Sequence, residues 1–211
     1  MAIVEIENLT KDFSVGFWKK QPVRALENLS LEVHEGETFG FLGPNGAGKS
    51  TTLKILMNLL SPTSGSARIL GKPAAAVSMH QGIGYLPENP YFYDYLTPTE
   101  LLAYMGRLCG LSGPELGRKV DELIEKVGLT EARRIQLRKF SKGMVQRIGI
   151  AQAIINDPKI VFLDEPMSGL DPLGRMDVRR IITSLKARGA TVFFSSHILP
   201  DVEAICDRVA I

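Results

Sequence analysis

The sequence predicts an α/β protein: helices around a mainly parallel sheet, with an antiparallel β part near the N-terminus and a helical subdomain in the middle. Three observations predict it. Ile3-Val4-Glu5-Ile6-Glu7 and Leu29-Ser30-Leu31-Glu32-Val33 alternate apolar and polar positions, the period of half-buried strands. Ile160-Val161-Phe162-Leu163 and Thr191-Val192-Phe193-Phe194 are apolar runs, as expected of parallel strands buried on both faces, and an amphipathic helix pattern separates them. Between these regions the apolar residues recur at helical spacing.

The elements follow in order. A polar, basic stretch with Phe17, Trp18, Lys19, Lys20 and Pro22 reads as a hairpin loop between the first two strands. Thr38 to Leu42 is a short apolar run that stops at a glycine-rich turn. Lys49 to Leu60 reads as a helix with Leu53, Leu56 and Leu60 on one face, ended by Pro62 and Gly65. Ala67 to Leu70 and Ile83 to Leu86 read as strands, the latter stopping at Pro87. Thr97-Pro98-Thr99-Glu100 is a capping box with Pro at the first helical position, and Leu101, Leu102, Met105 and Leu108 follow on one face. Val120, Leu123, Ile124 and Val127 mark the next helix, with Gly128 placed to close it. Val145 to Ile155 is a further helix, ended before Pro158. Val178, Ile181, Ile182 and Leu185 mark another, closed at Gly189, and Val202 to Ile205 begins the last. Arg208 to Ile211 reads as a strand cut off in mid-element, so the expectation is one domain over residues 1–211 with a truncated C-terminus.

Composition narrows the function. A chain of 211 residues suits one large domain or one with a subdomain, and 45% hydrophobic residues exclude intrinsic disorder. A net charge of +2 predicts no electrostatic footprint for nucleic acid. No apolar run approaches the roughly 18 residues of a membrane span, and Glu5 and Glu7 so close to Met1 leave no signal-peptide pattern. A membrane, if involved, is reached through a partner. Cys109 and Cys206 make no disulfide or metal pattern and read as reduced packing residues.

Gly43-Pro44-Asn45-Gly46-Ala47-Gly48-Lys49-Ser50 matches G-x-x-x-x-G-K-[ST], between a buried strand and an amphipathic helix. Glycines let backbone N–H groups wrap phosphate oxygens, and the helix N-terminus adds partial positive charge. Lys49 is expected on the β- and γ-phosphates and Ser50 on Mg²⁺, the arrangement of a P-loop NTPase core. The run Ile160 to Leu163 ends at Asp164-Glu165, and strand C-termini of parallel sheets are where ligands bind. Asp164 suits the Mg²⁺ contact and Glu165 the polarisation of a water aimed at the γ-phosphate.

Together these residues resemble the nucleotide-binding domain of ATP-binding-cassette (ABC) proteins, over nearly the whole chain and in the family's motif order. The phosphate loop looks like Walker A, and Ile160 to Glu165 like Walker B with its catalytic glutamate. Ser168-Gly169-Leu170-Asp171 looks like the D-loop and Ser195-Ser196-His197 like the switch histidine. Phe140-Ser141-Lys142-Gly143-Met144 sits where the family carries its signature, departing from the usual Leu-Ser-Gly-Gly-Gln while keeping Ser141 and Gly143. Tyr85-Leu86-Pro87-Glu88 puts Glu88 where the family usually has the Q-loop glutamine. Both variants resemble bacterial cassettes that serve export-type or poorly assigned permeases.

The resemblance implies catalytic roles for Glu165, His197 and Lys49, and metal contacts at Ser50, Asp164 and Glu88. It implies nucleotide contacts at Phe13 (against adenine, ahead of Trp18), at residues 43–51 (Gly43, Pro44, Asn45, Gly46, Ala47, Gly48, Lys49, Ser50, Thr51), and at Glu88, Ser141, Lys142, Gly143, Met144 and Asp171. It further implies ATP and Mg²⁺ as cofactors, head-to-tail pairing with a second nucleotide-binding domain, and a membrane-spanning permease that holds the chain at the cytoplasmic face. A helical subdomain over about residues 89–156 follows from the same resemblance. Tyr91, Phe92, Tyr93 and Tyr95 read either as packing between subdomains or as a docking groove for a helix of the permease, and Arg133, Arg134, Arg138, Lys139 and Lys142 as a solvated basic face. Two rival readings are weaker. A soluble ABC ATPase acting on DNA or ribosomes would carry long heptad repeats or two cassettes, and a P-loop kinase would not need signature, D-loop and switch histidine together.

Overall fold

The structure, a computed structural model, describes residues 1–16, 21–76 and 81–211. Phe17, Trp18, Lys19 and Lys20, read above as loop, lie outside the described residues. An antiparallel sheet has β1 (Ala2–Val15) between β2 (Gln21–His34) and β4 (Ser64–Ile69), with β5 (Lys72–Pro73) beyond β4. Both of the first two strands run for 14 residues, well past their alternating segments. Asn8 and Asn28 adopt φ 47°, and the β1–β2 register shifts between Ile6 and Leu9 and again as far as Asp12. Such bulges break the two-residue period, which is why the pattern stops reading as strand there. Pro22 belongs to β2 rather than to a loop, and β2 is a sheet edge, where the missing N–H is tolerated.

The second sheet is parallel, in the order β6 (Ile83–Leu86), β7 (Ile160–Leu163), β8 (Thr191–Ser196), β3 (Thr38–Leu42), β9 (Arg208–Ala210). Its alternate residues enter two different cores. Phe39, Phe41, Ile160, Phe162 and Phe193 pack with Leu53 and Leu56 of α1 (Lys49–Leu56) and with Val4 and Leu9 of the antiparallel sheet. Val161, Leu163, Val192 and Phe194 face the other helices. Burial on both sides is what made these strands read as unbroken apolar runs. The predicted fold class is therefore borne out.

The helices are α2 (Pro98–Leu108), α3 (Gly113–Lys126), α4 (Lys142–Ala153), α5 (Pro172–Ala187) and the short α6 (Leu199–Glu203). The Thr97–Glu100 capping box is formed in both directions. Helix α1 stops at Leu56, four residues short of the expected Leu60, because Asn58 takes a left-handed φ of 55° and turns the chain. Leu108 is exposed rather than on the buried face of α2. Helix α6 starts at Leu199 and closes after one turn, so Val202 to Ile205 does not open a longer helix. Cys206 packs against the core as expected, whereas Cys109 is exposed at the end of α2, beyond its buried face. At Gly84 of β6 a Cβ would fall 2.0 Å from the Ala153 carbonyl oxygen, so glycine lets α4 end directly against the strand.

Candidate functional site

Strand β3 delivers the chain into the glycine-rich loop. The Gly43 N–H donates to the Ser196 carbonyl at 3.1 Å, tying the loop to the end of β8, and the Ala47 N–H donates to Pro44 at 3.2 Å. Gly46 has φ 88° and open space where a Cβ would stand, so the loop presents bare backbone. Gly48, at φ 89°, could not carry a Cβ, which would lie 2.5 Å from the Ala25 carbonyl of β2. Lys49 opens α1 but bends back: its buried ammonium donates to the carbonyls of Gly43 at 2.7 Å and Pro44 at 3.1 Å. A cavity of about 210 Å³ is walled by Asn45, Gly46 and residues 48–51, by Glu88 and Glu165, and by Ala25.

The end of β7 supplies the carboxylates, 2% and 6% exposed for Asp164 and Glu165. Asp164 Oδ1 accepts from Ser50 Oγ at 3.1 Å and from Ser195 Oγ at 2.7 Å. Glu165 adopts φ 49°, and its N–H donates to Ser195 Oγ at 2.9 Å. Glu165 Oε1 lies 3.2 Å from the Lys49 ammonium, but the alignment is not that of a hydrogen bond, so this buried oxygen retains free acceptor capacity. Oε2 is 2.9 Å from His197 Nδ1. Beside them the Tyr85 hydroxyl is pushed up to about 12 by burial, reinforced by the charge of Asp164. One strand end thus holds two carboxylates with different partners, one facing two hydroxyls and the other an ammonium and an imidazole.

The remaining predicted residues divide between places. Glu88 is exposed on the wall of this first cavity. Ser141, Lys142, Gly143 and Asp171 line a second cavity of about 390 Å³. Two helices begin there: the Ser141 hydroxyl caps α4 by accepting from the Met144 N–H at 3.3 Å, and Asp171 Oδ1 caps α5 by accepting from the Gly174 N–H at 2.9 Å. Both N-termini favour an anion. Lys142 reaches across the D-loop, its ammonium within 2.4 Å of where a Gly169 Cβ would be. Met144 packs half-buried against the core. Phe13 is half-buried on β1 opposite Val23, with the Lys11 ammonium 5.2 Å above its ring, and is not part of the first cavity's wall. The sequence reading named Ser195 and Tyr85 only as parts of motifs, with no role of their own, and did not name Ala25. The signal for Ser195 was a polar residue closing an apolar run, but its partners follow only from the pairing of β8 with β7.

The oxygens fit a hard cation. Ser50 Oγ and Asp164 Oδ1 meet at the mouth of the loop, and among the described residues no group of three or more His, Cys, Asp or Glu forms a protein cage. Mg²⁺ asks for one or two protein oxygens and takes the rest from phosphates and water.

A glycine-rich loop joining a parallel strand to a helix, with a carboxylate pair at the end of β7, one strand removed from the loop's own strand β3 across β8, defines a phosphate-loop nucleoside triphosphatase. The family profile described as "ABC transporter" matches residues 26–168, and the chain belongs to that family, as an ABC ATPase cassette. The match includes the phosphate loop, Glu88, the signature region and Asp164-Glu165; Phe13, Asp171 and His197 lie outside it. The chain is 54% identical over 211 residues to an ABC transporter ATP-binding protein of Synechocystis sp., covering 99% of this chain and 60% of that one. It is 41% identical over 191 residues to the bacitracin transport ATP-binding protein BcrA of Bacillus licheniformis, covering 89% and 61%. The chain thus spans about three fifths of the length of these curated relatives. Among solved structures, a dimeric ATP-binding cassette in a post-hydrolysis state bound to ADP and Pi superposes with a TM-score of 0.84 at 26% identity, covering 94% of this chain and 89% of that one.

Proposed function

We propose that the chain binds Mg²⁺ and ATP at the phosphate loop and hydrolyses the nucleotide, as the ATP-binding subunit that drives a separate membrane permease through ATP-dependent pairing of two cassettes. The observation that carries this reading is Glu165, buried between Lys49 and His197 with one acceptor oxygen left for a water. The loop N–H groups and Lys49 hold the β- and γ-phosphates, with Thr51 beside them, and Ser50 and Asp164 hold the metal. Mg²⁺ supplies neutralisation of the phosphate charge. Glu165 Oε1 orients the water and takes its proton. A carboxylate oxygen can only accept, so His197 Nδ1 donates to Oε2; donation from Nε2 to the γ-phosphate needs a proton on that nitrogen as well, which only the imidazolium carries. Phe13 stacks on the adenine.

The signature residues line a cavity separate from the phosphate loop. That supports head-to-tail pairing, in which Ser141, Lys142, Gly143 and Met144, with Asp171, serve a nucleotide held by the other cassette. A groove of about 620 Å³ lined by Tyr93, Tyr95, Leu96, Ala103 and Tyr104 supports docking of a permease helix on a helical subdomain over residues 89–156. Tyr91 stands 94% exposed beside it in sequence. Among the described residues no helix is long and apolar enough to cross a membrane. In this reading the permease holds the chain at the cytoplasmic membrane face.

Two measurements test the reading. Purified chain should release phosphate from ATP only with Mg²⁺, and chain recovered from membranes should carry a membrane-spanning protein with it. Metal-independent or absent phosphate release overturns the ATPase reading; recovery without a membrane partner overturns the transport reading.

A further inference from the structure

We infer that Ser195 is a positioning residue for hydrolysis: its hydroxyl sets the backbone of Glu165, and through it the aim of the Glu165 carboxylate. The inference rests on the proposed catalytic role of Glu165. The β7–β8 ladder ends at the pair Leu163–Phe194, so Asp164 and Glu165 lie beyond its last paired residues. Ser195 continues β8 past that point and remains paired with Phe41 of β3 on its other side, so its backbone is held independently of the carboxylate turn. It is fully buried.

Its two hydrogen bonds have no freedom of direction. Asp164 Oδ1, at 2.7 Å, accepts, so the hydroxyl proton points to it; the Glu165 N–H, at 2.9 Å, donates, so a hydroxyl lone pair receives it. One side-chain oxygen therefore replaces the next rung of the ladder, and the Asp164 carboxylate orients it. The conformation it holds is one that a side-chain-bearing residue avoids: Glu165 has φ 49°. Left-handed backbone at a non-glycine residue persists only where the surroundings impose it. Here that conformation goes with a carboxylate carrying one oxygen toward Lys49 and the other toward His197. Without the Ser195 oxygen, the Glu165 N–H is buried and unpaired and the turn is free to relax toward ordinary φ. The phosphate loop is held by other bonds, from the Gly43 N–H to the Ser196 carbonyl, from the Ala47 N–H to Pro44 and from the Thr52 N–H to Gly48.

Steady-state assays at saturating Mg²⁺ test this, on the chain, on Ser195→Ala and on Ser195→Cys, each with Glu165 intact and with Glu165→Gln. With Glu165 intact, Ser195→Ala is expected to lower kcat about 10- to 100-fold, the cost of a misplaced reacting group, and to leave the KM for ATP within about 2-fold. Ser195→Cys, isosteric with a weaker hydrogen-bonding group, is expected to fall between, and carries the same comparison if the alanine variant does not fold. In the Glu165→Gln background neither change should lower the residual rate more than about 2-fold, because residues acting as a unit are non-additive. Equal losses in both backgrounds, or an undiminished kcat with Glu165 intact, overturn the inference. Undiminished turnover in Glu165→Gln alone overturns the catalytic reading of Glu165 instead, and this inference with it.

Discussion

His197 Nδ1 and Glu165 Oε2 stand 2.9 Å apart, and the carboxylate's other oxygen faces Lys49. Glu165 is thus held from two sides by groups proposed to serve the nucleotide as well. Glu165→Gln keeps the shape and removes the base. The variant should bind ATP, lose about 10²- to 10⁴-fold in turnover, and accumulate as an ATP-bound dimer visible by light scattering. Turnover at the unmodified rate would show that the carboxylate is not the base.

Glu88 shares a cavity wall with Ser50 and Glu165. A carboxylate there adds negative charge to a site already holding Asp164 and Glu165, and Mg²⁺ offsets that repulsion. ATP affinity should therefore depend steeply on the metal. Glu88→Gln removes one charge, so its ATPase activity should persist and its ATP affinity should vary less across a Mg²⁺ titration. Superimposable titrations of the two proteins would remove Glu88 from the metal site and leave only its proposed coupling role.

Gly84 has no room for a methyl group, because the obstacle is the Ala153 backbone at 2.0 Å rather than a yielding side chain. Gly84→Ala should push α4 off β6 and destabilise the fold by about 2 kcal/mol, within the usual range for overpacking. Urea unfolding should show a lower midpoint at an unchanged slope. A midpoint equal to the parent's would mean that the helix end moves freely.

Alkaline pH should weaken the fold. Burial raises Cys206 to about 12 from an ordinary 9.0, and the Tyr85 hydroxyl to about 12 from 10.0. Both groups hold their protons more tightly folded than unfolded, so their contribution is complete below about pH 9 and is lost as pH rises toward 12. The unfolding free energy measured at pH 8, 9 and 10 should decline above 9, and Cys206→Ala should flatten the first part of that decline. A parent curve level across this range would contradict the shifts.

The phosphate loop and the strand-end carboxylates were legible because their constraints are local. Gly46 and Gly48 need positive φ, and an apolar run that stops at Asp164-Glu165 marks a strand end wherever it sits. Helices with caps inside the sequence, such as Thr97 to Leu108, read correctly for the same reason. The hairpin did not, since Asn8 and Asn28 bulge it and disturb the period that reports a strand.

By itself the sequence determined the parallel strands, the phosphate loop, and which residue types stand at each strand end. Which of those ends face one another was decided only by the strand order β6-β7-β8-β3-β9. Ser195 meets Asp164 and Glu165 across 31 and 30 residues of chain because β8 lies beside β7. Lys142 lies over Gly169 because the starts of α4 and α5 share one cavity. Local periodicity reports whether a side chain is buried; the neighbour it is buried against depends on how distant segments pack together.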